Sequence, residues 1–461
     1  MKVDFEHDSV GRNIWRSAVP MFVAQMFNLL YNIVDRIFIG RIPGESTAAL
    51  AGVGLCFPII IIVLAFANLF GTGGAPLFSI SLGAKDPKKA QRIINTSFFL
   101  LFCAAIILTI VGIVFARPLL FLFGASSNTI VYALPYLRIY MLGTFFSMVS
   151  TGMTPFINAE GFTTAGMASV MVGALLNLGL DPLVIFGLHL GVRGAASATI
   201  ISQFISACFV FYFLRRKKMT IRVGRMTMDA IRHCGKDALA IMSLGLTGFI
   251  MQVTNSLVQI VCNAVLVRFG GDIFVTVMTI VSSVRQLVET PVLAISEGTS
   301  PVMSYNYGAQ RGGNVKKAIR IMTIVNLSYT LIMWLLIVWK PAWFISIFSN
   351  DKTLLKDAIP ALHLYFFAFI FQGLQYSGQT TFKALNKSKP AIFFSLFRKV
   401  IMVIPLTLIL PHIHHLGVHG VFMAEPVSNL VGGTACFVTM LLTVIPELNK
   451  MVPKDNRKEN S

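Results

Sequence analysis

Four polar side chains, Gln25, Asn28, Asn32 and Asp35, recur at intervals of three, four and three inside the apolar run from Pro20 to Gly40. On a helix that spacing brings all four to one face and leaves Met21, Phe22, Phe27, Leu30, Val34 and Phe38 to cover most of the rest. The run is about one bilayer crossing long, and a carboxylate inside it costs at least a few kcal/mol unless it is paired, hydrated or used. An acid in such surroundings can exchange one positive charge for another. Protonated it is neutral, and ionised it favours a cation.

The elements that position Asp35 follow from composition. Of 461 residues, 55% are hydrophobic and 12% charged, and the mean hydropathy is +0.75, which is the composition of a membrane protein. Uninterrupted apolar runs predict about twelve spans, starting near residues 14, 48, 93, 129, 165, 194, 239, 273, 318, 354, 391 and 417. The expected fold class is an all-α integral membrane protein. Thirty-eight Lys and Arg stand against 19 Asp and Glu, but they fall in short clusters between the spans rather than on one basic face. Nucleic acid is therefore not an expected partner. Basic residues concentrate after the second span (Lys85, Lys88, Lys89, Arg92), the sixth (Arg215 to Lys236), the eighth (Arg311, Lys316, Lys317, Arg320) and the tenth (Lys383, Lys387, Lys389). This bias places those loops and both termini in the cytoplasm, with the chain in the cell membrane. No compact signal-peptide pattern precedes the first span, which is expected to stay as an anchor. The six cysteines form no C-x-x-C pair and read as free thiols.

An internal repeat organises the chain. Ala75-Pro76-Leu77-Phe78-Ser79 with Gly83-Ala84 returns as Ser300-Pro301-Val302-Met303-Ser304 with Gly308-Ala309, an offset of 225 from 83 to 308. Leu190-Gly191-Val192-Arg193-Gly194 returns at Leu416 to Gly420, an offset of 226, and Gln25 and Asn28 return as Gln252 and Asn255, an offset of 227. Matches at nearly one offset imply a duplicated unit. Six spans per copy return the chain to its starting side, so the two lobes share an orientation and their pseudo-twofold axis runs along the membrane normal. The expected domains are an N-terminal lobe at 1–214, a basic cytoplasmic linker at 215–236, a C-terminal lobe at 237–446 and a cytoplasmic tail at 447–461.

With this topology, Asp35, Asp181, Thr199 and Gln203 share a depth, with Asn177 and Asn32 about a turn deeper. They predict a polar cluster in the N-terminal lobe. The repeat replaces both acids, Asp35 by Cys262 and Asp181 by Thr407, while Thr199 becomes Glu425. Further cavity candidates are Met26 and Tyr31 in the first span and Gln252 and Asn255 in the seventh. Glu289 and Glu297 in the eighth, Gln372 and Gln375 in the tenth, and Glu425 and Asn429 in the last complete the set. Plainer readings stand beside these: Asp181 precedes Pro182 and could only organise a helix break, Asp35 could pair with Arg36, and Arg285 could neutralise Glu289. His412, His414, His415 and His419 lie in an external turn without a companion carboxylate or cysteine, so a hydrated loop is expected there and no metal. No H-E-x-x-H, G-x-S-x-G or Walker sequence is present, so no enzyme and no nucleotide-driven pump is expected, and any work against a gradient must draw on an ion gradient.

The chain resembles the multidrug and toxic compound extrusion (MATE) family over nearly its whole length. The residues carrying the resemblance are Pro20 with Asn32 to Gly40, Gly71-Thr72-Gly73-Gly74 through Gly83-Ala84, and Asn177-Leu178-Gly179-Leu180-Asp181-Pro182. Gly194-Ala195-Ala196 and Pro301 with Ser304-Tyr305-Asn306-Tyr307-Gly308-Ala309 complete them. The resemblance implies a twelve-helix, two-lobe exporter that alternates access and moves amphipathic organic cations out in exchange for protons, with sodium second, and needs no other cofactor. It implies that Asp35 and Asp181 form the ion site, with Asn177 and Thr199 nearby. Sodium-coupled relatives carry acids in the seventh and tenth helices. Here Gln252, Asn255, Gln372 and Gln375 stand there instead, which is closer to the branch of DinF-type and MepA-type exporters. The alternatives are a lipid-linked oligosaccharide flippase, which needs several basic residues in its cavity, and a membrane-embedded lipid-modifying enzyme. One chain supplies both lobes, so a monomer is sufficient, with lipid as its surroundings.

Overall fold

The computed structural model describes residues 2–39, 46–216, 219–224, 228–348, 352–413 and 416–451. The first repeat contains α1 (Val10–Ile39), α2 (Ser46–Gly83), α3 (Pro87–Val114), α4 (Ala116–Leu122), α5 (Ile130–Leu142), α6 (Thr144–Ala159), α7 (Thr163–Pro182) and α8 (Gly191–Arg215). The second contains α9 (Met228–Gly270), α10 (Asp272–Gly308), α11 (Gly312–Trp339), α12 (Pro341–Ser346), α13 (Lys352–Phe366), α14 (Phe369–Ala384), α15 (Ser388–Leu396), α16 (Ile404–Ile409), α17 (Gly417–Ser428) and α18 (Thr434–Asn449). No strand occurs among the described residues. Among the described residues ten helices are long and apolar enough to cross a bilayer, and the number is twelve when each of two bent pairs is counted as one span. A helix satisfies its backbone internally, which is why these apolar runs take that form.

Eleven spans begin within six residues of the starts read from the sequence, and α9 is the exception, starting at Met228 instead of near 239. Its first turns are polar but helix-competent, a class of residue that hydropathy alone cuts off. The expected linker thus shrinks, and its described part is tied down by hydrogen bonds rather than loose. Gln91 donates to Arg222 O at 2.5 Å, Gly224 N–H to Asn95 Oδ1 at 3.1 Å and Thr220 N–H to Glu160. The expected tail also starts later, since α18 runs to Asn449 and its Glu447 accepts from Tyr307 at 2.7 Å.

The bent pairs are repeat mates. Between α5 and α6 the chain turns by 57°, and between α13 and α14 by 44°. Small residues sit at the two breaks, Gly143 and Ala368. A Cβ on Gly143 would lie 2.5 Å from Ile200 of α8, so the bend presses backbone against that helix. Left-handed backbone recurs with the same offset, at Lys85 and Gln310, at Gly161 and Asn386, and at Gly191 and Gly417. At Gly191 and Gly417 this conformation opens α8 and α17, and a residue without Cβ adopts it freely.

The chain forms two compact units, one of Met1–Asp4 with Pro20–Phe249 and the other of Phe5–Val19 with Ile250–Ser461. The boundaries therefore fall inside α1 and α9 rather than at residues 214 and 237. Glycine contacts explain why. A Cβ on Gly245 of α9 would sit 1.7 Å from Leu69 O of α2, and one on Gly298 of α10 would sit 2.5 Å from Ala18 Cα of α1. Backbones this close commit the first half of each helix to its neighbour. In the first unit α2 packs on α3 and α6, and α7 on α8; in the second α11 packs on α10 and α14, and α14 on α18. Each unit has its own apolar core. Exposed residues such as Leu122, Ile107, Trp339 and Leu442 give the outer surface the apolar character a bilayer requires.

Candidate functional site

At the C-terminal end of α7, Pro182 lacks the N–H that would continue the helix. The next turn, Leu183–Gly187, is π-helical, with Leu188 N–H reaching back to Leu183 O at 2.9 Å. Such widened turns concentrate at functional sites because they re-aim side chains without ending the helix. Here Asp181 is fully buried, with Asn177, Thr199 and Asp35 almost as enclosed. Asn177 Nδ2 donates to Asp181 Oδ1 at 3.3 Å and to Thr199 Oγ1 at 3.4 Å, while Thr199 anchors itself on Ala195 O at 3.0 Å. The Asp35 carboxyl is the charged neighbour of Asp181. Tyr31 and Tyr136 lie beside Asp35, and Tyr140 lies beside Gln203 and Ser147. No N–H or hydroxyl among the described residues donates to Asp181 Oδ2, and Asn177 Oδ1 and Gln203 Oε1 are likewise buried acceptors without donors.

The predicted N-terminal cluster thus assembles from α1, α7 and α8, with one difference. Asn32 donates to Asn28 O on its own helix at 2.6 Å, so its amide is spent locally. Asn28 is exposed, while Gln25 and Met26 are half-buried. The Arg36 side chain, a partner considered for Asp35, lies outside the described residues, as do His414 and His415.

The second unit holds a different chemistry. A cavity of about 290 Å³ is lined by Asn255, Cys262, Arg285, Glu289, Tyr365, Tyr376, Arg398, Lys399 and Glu425, with Met251, Met278 and several valines as its apolar part. Two π-helical turns shape it: Phe397–Val403 carries Arg398 and Lys399, and Asn429–Gly433 follows Glu425. Ser428 Oγ ties them by donating to Arg398 O at 3.0 Å. Glu425 Oε1 accepts from Arg398 Nη1 at 2.9 Å, Lys399 Nζ at 2.9 Å and Arg285 Nη2 at 3.1 Å. Arg398 also donates to Asn429 at 2.5 Å. Glu289 takes Arg285 Nε at 3.1 Å and Gln372 Nε2 at 2.6 Å, together with the Tyr376 hydroxyl.

Glu289 and Glu425, expected as cavity residues, do line this cavity, and the contacts add what surrounds them. Glu289 and Glu425 are not acids offered to a cation; three basic side chains already hold them. Arg285 does not merely neutralise Glu289, since it also pairs with Glu425. Glu297 is exposed and has Lys383 as its charged neighbour, and Gln375 donates to Gln379 at 2.9 Å, so neither joins this cavity. Gln252 is half-buried. The sequence reading set Arg285 beside Glu289 but did not bring Arg398 and Lys399 to them. The available signal was Glu425 itself, an acid in an apolar run with no acid at its repeat position. Among the described residues no cluster of His, Cys, Asp and Glu has the make-up of a metal site.

A bundle of membrane-spanning helices in two repeated halves, with carboxylates buried inside, is the architecture of a membrane transporter. The MatE family profile matches residues 20–183 and 248–409, and the chain belongs to that family. Both matched segments start where α1 and α9 pass from one compact unit to the other. Among curated relatives, the multidrug export protein MepA of Staphylococcus haemolyticus (strain JCSC1435) is 25% identical over 452 residues, covering 97% of this chain and 96% of the relative. MepA of Staphylococcus aureus (strain MRSA252) is 23% identical over 445 residues, covering 95% and 94%. Among solved structures, an outward-facing multidrug resistance MATE transporter of the MOP superfamily has a TM-score of 0.89 at 23% identity, with 98% of this chain and 99% of that one covered. A MOP-superfamily transporter from Pyrococcus furiosus, described as having a binding pocket of reverse polarity that suggests a different function, gives the same values. The protein is a multi-pass membrane transporter and not an enzyme.

Proposed function

We propose that the chain is a drug exporter, as the names of its MepA relatives suggest, and that it moves amphipathic organic cations out in exchange for protons entering through the first unit. The observation that carries the reading is the buried pair Asp35 and Asp181, whose surroundings include acceptor oxygens of Asp181, Asn177 and Gln203 without donors. Neighbouring carboxylates in a poorly hydrated site cannot both remain ionised without a positive charge between them. A proton or an organic ammonium meets that need, and either excludes the other, so the two ligands compete as exchange requires. Protonation also removes the charge that Asn177 is oriented to meet, giving the site two arrangements that a proton biases. Sodium fits the same oxygens and is the competing coupling ion.

The cell membrane is the proposed location, with both termini cytoplasmic and the monomer as the working unit. Three basic residues in one cavity lend some support to the flippase alternative, but about 290 Å³ suits a small molecule and not a lipid-linked glycan.

The test is uptake of ethidium into inside-out proteoliposomes under a proton gradient or a sodium gradient imposed separately. Proton-driven uptake that disappears in both Asp35→Asn and Asp181→Asn is expected. Uptake driven by sodium alone would replace the proton, and normal uptake by both variants would overturn the site.

A further inference from the structure

We propose that the cavity of the second unit is an anion site, built to receive the carboxylate of a small organic acid. The inference rests on charge and space together. Three basic side chains, Arg285, Arg398 and Lys399, face two carboxylates, Glu289 and Glu425, so with all five ionised the cluster carries one positive charge. Arg398, Lys399 and Glu425 are each no more than 5% exposed. An excess charge taken out of water is costly unless an opposite charge joins it.

The distribution of contacts shows where that charge belongs. Glu289 is already occupied by Arg285, Gln372 and Tyr376. One oxygen of Glu425 serves all three cations at 2.9–3.1 Å. Arg285 spreads its donors over Glu289, Glu425 and Tyr365, and Arg398 over Glu425 and Asn429. Lys399 has three N–H donors and a single described hydrogen-bond partner, Glu425. Its ammonium lines the cavity, next to walls of Met251, Met278, Val403 and Val421. A monoanion with an apolar body matches the charge, the donors and the wall in one ligand. None of this is shared with the first unit, where the repeat positions of Arg398 and Lys399 are Val172 and Gly173.

The inference goes beyond cation export and depends on the exporter reading only for the anion's route, because binding to purified protein requires no transport. Salicylate, a fluorescent monocarboxylate, is the probe. Saturable binding is expected to the full chain, both in nonionic detergent and in phosphatidylcholine nanodiscs. Lys399→Met should weaken it at least tenfold, while Lys399→Arg, which keeps the charge, should stay within about threefold of the original. A monodisperse peak on size exclusion checks folding of both variants. Two competition arms separate the sources: displacement by benzoate but not by phosphatidylglycerol built into the nanodisc is expected, whereas displacement by phosphatidylglycerol, whose charge is a phosphodiester, would put a lipid headgroup in the site and overturn the organic-acid assignment. Absence of saturable salicylate binding, or equal affinity in the wild type and Lys399→Met, would overturn the proposal. Failure of the wild-type chain to transport ethidium, with salicylate binding intact, would instead count against the first-unit reading alone.

Discussion

Asn177 spends one amide nitrogen on two acceptors, Asp181 at 3.3 Å and Thr199 at 3.4 Å. Hydrogen bonds to charged groups contribute about 1.5–3 kcal/mol, so Asn177→Ala should cut export roughly tenfold or more. The ethidium assay reads this at matched protein insertion, and an unchanged rate would separate Asn177 from the ion site. A second carboxyl, Glu160 in the turn after α6, carries a pH effect of a different kind. Burial pushes it above the usual carboxylate range, against the opposing pull of Thr220 and the Lys2 amine. A raised folded value means that the folded state holds the proton more tightly, so its contribution to stability is present in acid and lost as pH rises through the folded value. Melting temperature should therefore fall across that interval in the wild type, and the fall should shrink in Glu160→Gln. Asp35 and Asp181 were legible in the sequence because an acid in an apolar run is conspicuous by itself. The cationic cavity was not, since Lys399 and Glu425 meet across 26 residues of chain and the contact exists only after three helices converge.

At the level of elements, close backbone approach and widened helical turns divide the work. Gly245 lies so near Leu69 O that a side chain there must move backbone, whereas a Cβ on Gly54 of α2 would meet nothing within 4 Å. Overpacking a tight contact costs about 1–3 kcal/mol or more, while replacing a helical glycine in open space gains up to about 1 kcal/mol of helix propensity. Gly245→Val should therefore lower the melting temperature by several degrees and Gly54→Ala should leave it level or raise it, as a thermal size-exclusion assay would record. The spans themselves could be read from hydropathy, and so could their order. The mid-helix boundaries at Pro20 and Phe249 could not. Hydropathy reports depth in the bilayer but not which neighbour a helix face meets, and that choice is made by small residues such as Ala18, Gly245 and Gly298. The π-helical turns escaped the sequence for a related reason. Pro182 and Pro426 announce a disturbance, but whether the helix stops, kinks or widens is decided by the packing around it.

Across the whole molecule the duplicated fold keeps its contacts and exchanges its chemistry. Asp35 and Asp181 are neighbours in the first unit, and their repeat mates Cys262 and Thr407 are again in contact in the second, with Sγ and Oγ1 3.7 Å apart. Thr199 corresponds to Glu425 and Gln203 to Asn429, so the position that accepts from Asn177 in one unit becomes the acid that gathers three cations in the other. One unit is left needing a positive charge and the other a negative one. Cys262 lines the cationic cavity and has Glu425, Lys399 and Arg285 as its charged neighbours. Cys262→Asp therefore should not create a second cation site. It should deliver a tethered carboxylate to the basic cluster, raise the melting temperature and weaken salicylate binding at least tenfold. The proton-to-ethidium ratio measured in proteoliposomes should stay as it was, because the added acid is neutralised where it stands. If the ratio instead rose, the new aspartate would be exchanging protons, and the positive charge assigned to the second unit would be refuted.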